Sequence, residues 1–108
     1  MKILAYDHAN EGVTFEDLKP HLQEEARQAW GLYKKGILRE FYLRSDGKPG
    51  AVVILECASV AEAESYMREM PLVKNKLITF TFVPLSYFMP FETLFAEASA
   101  PRPAATGN

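Results

Sequence analysis

The order in which the hydrophobic period switches between two and about 3.6 residues constrains this chain more than any other feature. In Leu77 to Leu85, Ile78, Phe80 and Phe82 alternate against Thr79, Thr81 and Val83, the pattern of a strand with two unlike faces. Further strand-like runs occupy Lys2 to His8, Ile37 to Arg44 and Ala51 to Cys57. The middle two are separated by Ser45 to Gly50, whose Gly and Pro content predicts a hairpin loop and hence antiparallel neighbours.

Helical patterns fill the two remaining intervals. Thr14 can cap the first, with Asp17 standing in for the usual Glu or Gln and with Val13 and Leu18 at hydrophobic-staple positions. Phe15, Leu18, Leu22, Ala26, Ala29 and Tyr33 recur at spacings of three and four and form the expected core-facing stripe. Pro20 lacks a backbone donor, so a kink or a separate first turn is expected there. Lys34 and Lys35 suit the negative end of the helix, and Gly36 supplies a left-handed terminator. Ser59 and Glu62 have capping-box spacing, and Val60, Ala63, Met67 and Met70 carry a second stripe that Pro71 is expected to stop.

The order β, α, β, β, α, β predicts a ferredoxin-like α+β fold, a four-stranded antiparallel sheet with two helices on one face and the other face free for a cover. A length of 108 residues, 48% of them apolar, fits a single domain over residues 1–95, small enough that a partner's burial would help it. Ser86 to Phe95 includes Tyr87, Phe88, Phe91 and Phe95, too apolar a segment for a free tail, and is expected to be an arm packed on a partner. Residues 96–108, rich in Ala, Pro, Ser and Gly, are expected to be a disordered tail.

Composition removes several function classes. The net charge of −2 arises from intermixed acids and bases with no basic stripe, which gives nucleic acid little to bind. No apolar run approaches the roughly 20 residues needed to span a bilayer and no signal peptide is evident, so a cytoplasmic location is expected. Cys57, the one cysteine, reads as a buried small hydrophobe. Asp7, His8 and Glu11 have no metal-ligand spacing and His21 is isolated, so no metal is expected. Nucleotide, serine-hydrolase and dithiol chemistry lack a phosphate loop, a nucleophile elbow and a CxxC pair respectively.

Charge and polarity favour a hairpin register with Leu43 opposite Val52, Phe41 opposite Ile54 and Arg39 opposite Glu56. The helix ending at Gly36, Arg39 in the next strand, Glu56 before a Ser-capped helix, and the pairs Pro71-Leu72 and Pro84-Leu85 together resemble the muconolactone isomerase-like group of the dimeric α/β-barrel superfamily. The resemblance runs from about Lys2 to Leu85. It implies a homodimer or higher homo-oligomer in which two sheets face each other, with a small molecule held between sheet and helices or inside the shared barrel. Glu40 and Tyr42 stand where muconolactone isomerase itself would have a histidine and a tryptophan, so its particular lactone is not carried over.

Glu56 and Arg39 are the first candidate site residues, a carboxylate to move a proton and a guanidinium to hold an anion. Their ordinary structural reading is a cross-strand ion pair. His8, which titrates near neutrality when unperturbed, and Tyr6, two residues earlier on the same strand face, are candidate catalytic assistants. Trp30, Tyr33, Tyr42, Phe80 and Phe82 could line one aromatic pocket, and Phe41, Tyr42, Phe80 and Phe82 are the candidate substrate-binding aromatics, against the reading that such residues simply fill a core. The leading expectation is a cofactor-independent isomerase-type enzyme that transfers a proton on a cyclic or aromatic-derived metabolite. The alternatives are a non-catalytic ligand-binding or assembly protein and a cofactor-free monooxygenase.

Overall fold

The computed structural model describes residues 1–96; the expected tail lies, from residue 97 on, outside the described residues. The chain runs β1 (Lys2–Ala9), α1 (Phe15–Leu18), α2 (Leu22–Lys34), β2 (Leu38–Leu43), β3 (Ala51–Glu56), α3 (Val60–Arg68), α4 (Pro71–Lys74) and β4 (Ile78–Pro84). The strands form one antiparallel sheet in the order β2-β3-β1-β4. With the helices packed on one face, this is the ferredoxin-like α+β arrangement.

Local signals explain most boundaries. The Asp17 carboxylate accepts the Thr14 amide at 2.8 Å and the Thr14 hydroxyl at 3.1 Å, closing the start of α1. Pro20 lies in a single 3-10 turn, Lys19–His21, that separates α1 from α2. Gly36, at φ 78°, ends α2, and the Ile37 amide reaches back to the Leu32 carbonyl at 3.0 Å. The Ser59 hydroxyl accepts the Glu62 amide at 3.1 Å, capping α3. Pro71 does more than stop that helix: after extended Met70 (ψ 137°) it occupies the first turn of α4, where its missing N–H is not needed.

The core lies between sheet and helices. Ile3, Ala5, Leu38, Val53 and Leu55 from the strands meet Ala63, Met67 and Met70, with Cys57 buried beside them. Burial of the Cys57 side chain pushes its thiol pKa up, which suits a packing role. The other sheet face presents Leu4, Val52 and Ile54 half-buried and Tyr6, Tyr42 and Val83 exposed.

Two expectations need correction. Leu43 pairs with Ala51, Tyr42 with Val52, Phe41 with Val53 and Glu40 with Ile54, while Leu38 pairs with Leu55. Arg39 is the extra residue of a bulge, so it does not oppose Glu56, and Phe41 and Leu43 turn to the helix side of the sheet. In α2 the buried position is Glu25, with Ala29 and Leu32 packed against the core. Phe15, Leu22, Trp30 and Tyr33 stay exposed because the apolar stripe is wider than the sheet surface available to it.

Replacing fully buried Leu55 with Ala should cost about 2–5 kcal/mol in urea unfolding. Leu43→Ala, at a side chain 77% exposed, should cost less than about 0.5 kcal/mol. Equal losses at the two positions would show that Leu43 is covered and not exposed.

Candidate functional site

The exposed flank of α2 becomes one wall of a groove. Ala26, Ala29, Trp30 and Tyr33 face Leu38, Arg39 and Phe41 of β2 across a cavity of about 420 Å³. The small Ala side chains leave the space, and the bulge turns Arg39 into it. Trp30 and Tyr33 stack with ring centroids 5.2 Å apart and planes 25° from parallel, a flat aromatic surface one helical turn long. Arg39 has no salt bridge among the described residues. The groove therefore offers a planar apolar wall and a cation without a salt bridge, with the Glu40 carboxylate, which accepts the Tyr42 hydroxyl, also in its lining.

Two carboxyl groups, buried Glu25 and half-buried Asp7, lie outside the groove's lining on the helix side of the sheet. Glu25 is 8% exposed and its Oε1 accepts the Leu72 amide at 2.9 Å, satisfying an orphan donor in the first turn of α4. Burial raises the Glu25 pKa, the Leu72 amide partly offsets this, and the Asp7 charge raises it further. Asp7 follows Ile3 and Ala5 on the inward side of β1, and its Oδ1 accepts the Ala51 amide at 3.0 Å. Burial raises its pKa too, opposed by the Ala51 amide and then by His8. Gly50 makes the close approach possible, since a Cβ there would lie 3.2 Å from the Asp7 carbonyl and carboxylate oxygens. Two carboxyls that resist ionisation, each already oriented by a backbone amide, keep a proton to higher pH than exposed carboxyls do.

The sequence-derived candidates fall into separate places. Glu56 lies 2.9 Å from the Met1 amine and 3.6 Å from the Lys2 ammonium, across from Lys2 in the β1–β3 ladder. The hydrogen bond from the Met1 amine lowers the pKa of its carboxyl, and Glu56 pairs with both cations. Tyr6, His8 and Tyr42 are exposed, Tyr6 and Tyr42 on the open sheet face on either side of Val52 and His8 opposite Thr79 at the end of β1. The Tyr42 hydroxyl donates to Glu40 at 2.7 Å, which raises the phenol pKa. Arg39 and Phe41 share the α2–β2 groove, whereas Phe80 and Phe82 line a different one beside α3. Asp7 and Glu25 were not among the candidates, although both interrupt apolar periods, Asp7 after Ile3 and Ala5 and Glu25 three residues after Leu22 and four before Ala29. Among the described residues, no three His, Cys, Asp or Glu side chains are grouped to hold a metal. No described helix is long and apolar enough to cross a membrane.

No protein-family model matches the chain, and no curated protein matches it significantly. Among solved structures it is similar to 5-chloro-2-hydroxyhydroquinone dehydrochlorinase from Burkholderia phenoliruptrix, in complex with 2,5-dihydroxybenzoquinone. The TM-score is 0.59 at 18% identity, over 82% of this chain and 97% of that one. A NIPSNAP domain protein from Burkholderia xenovorans aligns with a TM-score of 0.47 at 12% identity, over 82% of this chain and 97% of that one. A protein from Agrobacterium tumefaciens aligns with a TM-score of 0.44 at 11% identity, over 82% and 96% of the two chains. The first likeness bears on the fold alone: the chain has a ferredoxin-like α+β fold.

A carboxyl whose folded pKa is raised contributes stability below its unfolded pKa, and that contribution is lost as pH rises through the folded value. Urea unfolding of the wild type should therefore lose stability relative to Glu25→Gln as pH rises above the ordinary carboxylate range, from about pH 4 upward. Parallel stability curves for the two proteins would show that Glu25 titrates like an exposed carboxyl.

Proposed function

We propose that the protein is a small-molecule enzyme of the muconolactone isomerase-like group, which transfers a proton on a cyclic or aromatic-derived metabolite without a bound cofactor. The observation that carries this reading is the Asp7 and Glu25 pair, two carboxyls pushed toward their neutral forms beneath the helices. Structural ion pairing does not account for them, since neither forms a salt bridge among the described residues. The acid and base roles therefore pass from Glu56 to Asp7 and Glu25.

Neither carboxyl lines the α2–β2 groove, so this reading requires an opening beneath α2 that brings the substrate to them. Ionised Asp7 then takes a proton from the carbon or hydroxyl next to a carbonyl, and protonated Glu25 returns one elsewhere on the ring. Arg39 holds the developing enolate or a carboxylate, and Trp30, Tyr33 and Phe41 sandwich the ring. The groove of about 420 Å³ falls in the size range of small-molecule sites. The dehydrochlorinase of like fold is described with a dihydroxylated quinone, and hydroxylated rings are accordingly the first substrates to try. The single buried thiol of Cys57 suits a reducing cytoplasm.

A homodimer completes the proposal. Leu4, Tyr6, Val52, Ile54 and Val83 make one sheet face apolar, and a second copy of that face is its natural cover. Tyr6, His8 and Tyr42 then line the space between the sheets. The arm carrying Tyr87, Phe88, Phe91 and Phe95, each more than half exposed, reaches the same partner.

Incubation with substituted hydroquinones and small lactones in deuterated water should give enzyme-dependent deuterium incorporation. Asp7→Asn and Glu25→Gln should each slow it by about 10²–10⁴-fold, and Arg39→Gln should chiefly raise KM. Exchange that survives both carboxyl substitutions in folded protein would remove the pair from the mechanism. In sedimentation experiments the wild type should be dimeric and Ile54→Glu monomeric, a result that a monomeric wild type would reverse.

A further inference from the structure

A second groove of about 500 Å³ lies on the other flank of the helix layer, between α3 and β4. Its floor is formed by Phe80, Phe82 and Met67, the two rings inclined at 43° with centroids 6.1 Å apart. Arg68, Lys76 and Glu64 stand at its rim. Neither cation has a salt bridge among the described residues, and Glu64, four residues before Arg68 on α3, bridges neither. The rim thus has an excess of positive charge in a chain whose net charge is −2.

Lys76 is held there at a cost. At φ 59° it is the one non-glycine residue with positive φ among the described residues. It follows α4 at the position where Gly or Asn ordinarily ends a helix, with the Lys76 amide on the Val73 carbonyl and the Leu77 amide on the Leu72 carbonyl, both at 2.9 Å. Asn10 fixes the turn from the opposite side. Its side-chain amide donates to the Lys76 carbonyl at 2.7 Å, its backbone amide donates to the Leu77 carbonyl at 2.9 Å, and its side-chain oxygen accepts the Thr79 hydroxyl at 2.6 Å. A lysine in a strained, triply anchored turn presents its ammonium at the mouth of an aromatic-floored groove. Backbone strain of this kind persists where the surrounding structure over-determines it, and it clusters at ligand sites.

We propose that this groove binds a small flat aromatic carboxylate, its ring over Phe80 and Phe82 and its carboxylate between Arg68 and Lys76. Glu64 limits the site to a singly charged anion. The assignment is independent of the roles given to Asp7 and Glu25.

The test is titration of the full chain with 2-naphthoate, followed by amide shifts in two-dimensional NMR. Saturable shifts are expected at Arg68, Lys76, Thr79 and Phe80, and they should persist in Arg39→Gln, which removes the cation of the α2–β2 groove. Lys76→Gly should raise Tm by relieving the left-handed strain and yet weaken 2-naphthoate by about fivefold or more. Arg68→Gln should weaken it similarly without a gain in Tm, and the uncharged 2-naphthamide should bind the wild type correspondingly less tightly. The proposal is overturned if the shifts are confined to the α2–β2 groove, if nothing saturates at Arg68, Lys76, Thr79 and Phe80, or if Lys76→Gly gains stability with unchanged affinity.

Discussion

Pairing of β1 on both edges governs the rest of the molecule. Its residues are matched to β3 from Lys2 opposite Glu56 to Tyr6 opposite Val52, and to β4 from Ile3 opposite Pro84 to Ala9 opposite Ile78. A slip of one residue would send Ile3 and Ala5, both fully buried, to the open face and bring Leu4, Tyr6 and His8 under the helices. Two ladders make that slip doubly costly. The same alternation that buries Ile3 and Ala5 carries Asp7 inward, so the strand that holds the sheet together also delivers a carboxyl to its interior.

The order of elements was legible because each boundary had a local cause: Thr14 with Asp17, Pro20, Gly36, Ser59, and the Ser45 to Gly50 loop. The β2 register was not, because a bulge leaves no compositional mark and Arg39 suits either arrangement. The preferred alignment rested on opposite charges facing each other across the hairpin. Glu56 has a second neighbour, however, and it satisfies its charge with the Met1 amine and Lys2 on the β1 side. Pairing preferences read from a hairpin alone omit the strand that later inserts beside it. The aromatic candidates were grouped into one pocket for a related reason, since sequence shows that Phe41, Phe80 and Phe82 are apolar but not that β2 and β4 lie at opposite edges of the sheet.

An apolar helix face wider than its footing accounts for the α2–β2 groove. Ala29 and Leu32 reach the core while Trp30 and Tyr33 overhang it, and Ala26 leaves the gap beneath. A helix evolved only for packing would have placed its largest side chains inward, where burial of each is worth about 1.5–3 kcal/mol. Here a Glu occupies the most buried position and the largest rings remain in solvent.

That inversion bears on whether Glu25 and Asp7 are more than caps. Each accepts one backbone amide, a bond with a net value of about 0.5–1.5 kcal/mol. Gln and Asn present the same acceptor oxygen at the same reach and carry no ionisable group, so structural satisfaction of Leu72 and Ala51 does not require an acid. Ionising a buried carboxyl without a counter-ion costs more than such a bond returns, which is the physical meaning of the raised pKa values. The amide caps explain why the side chains are ordered, and the choice of acids over amides is the feature that the proposed proton transfer draws on.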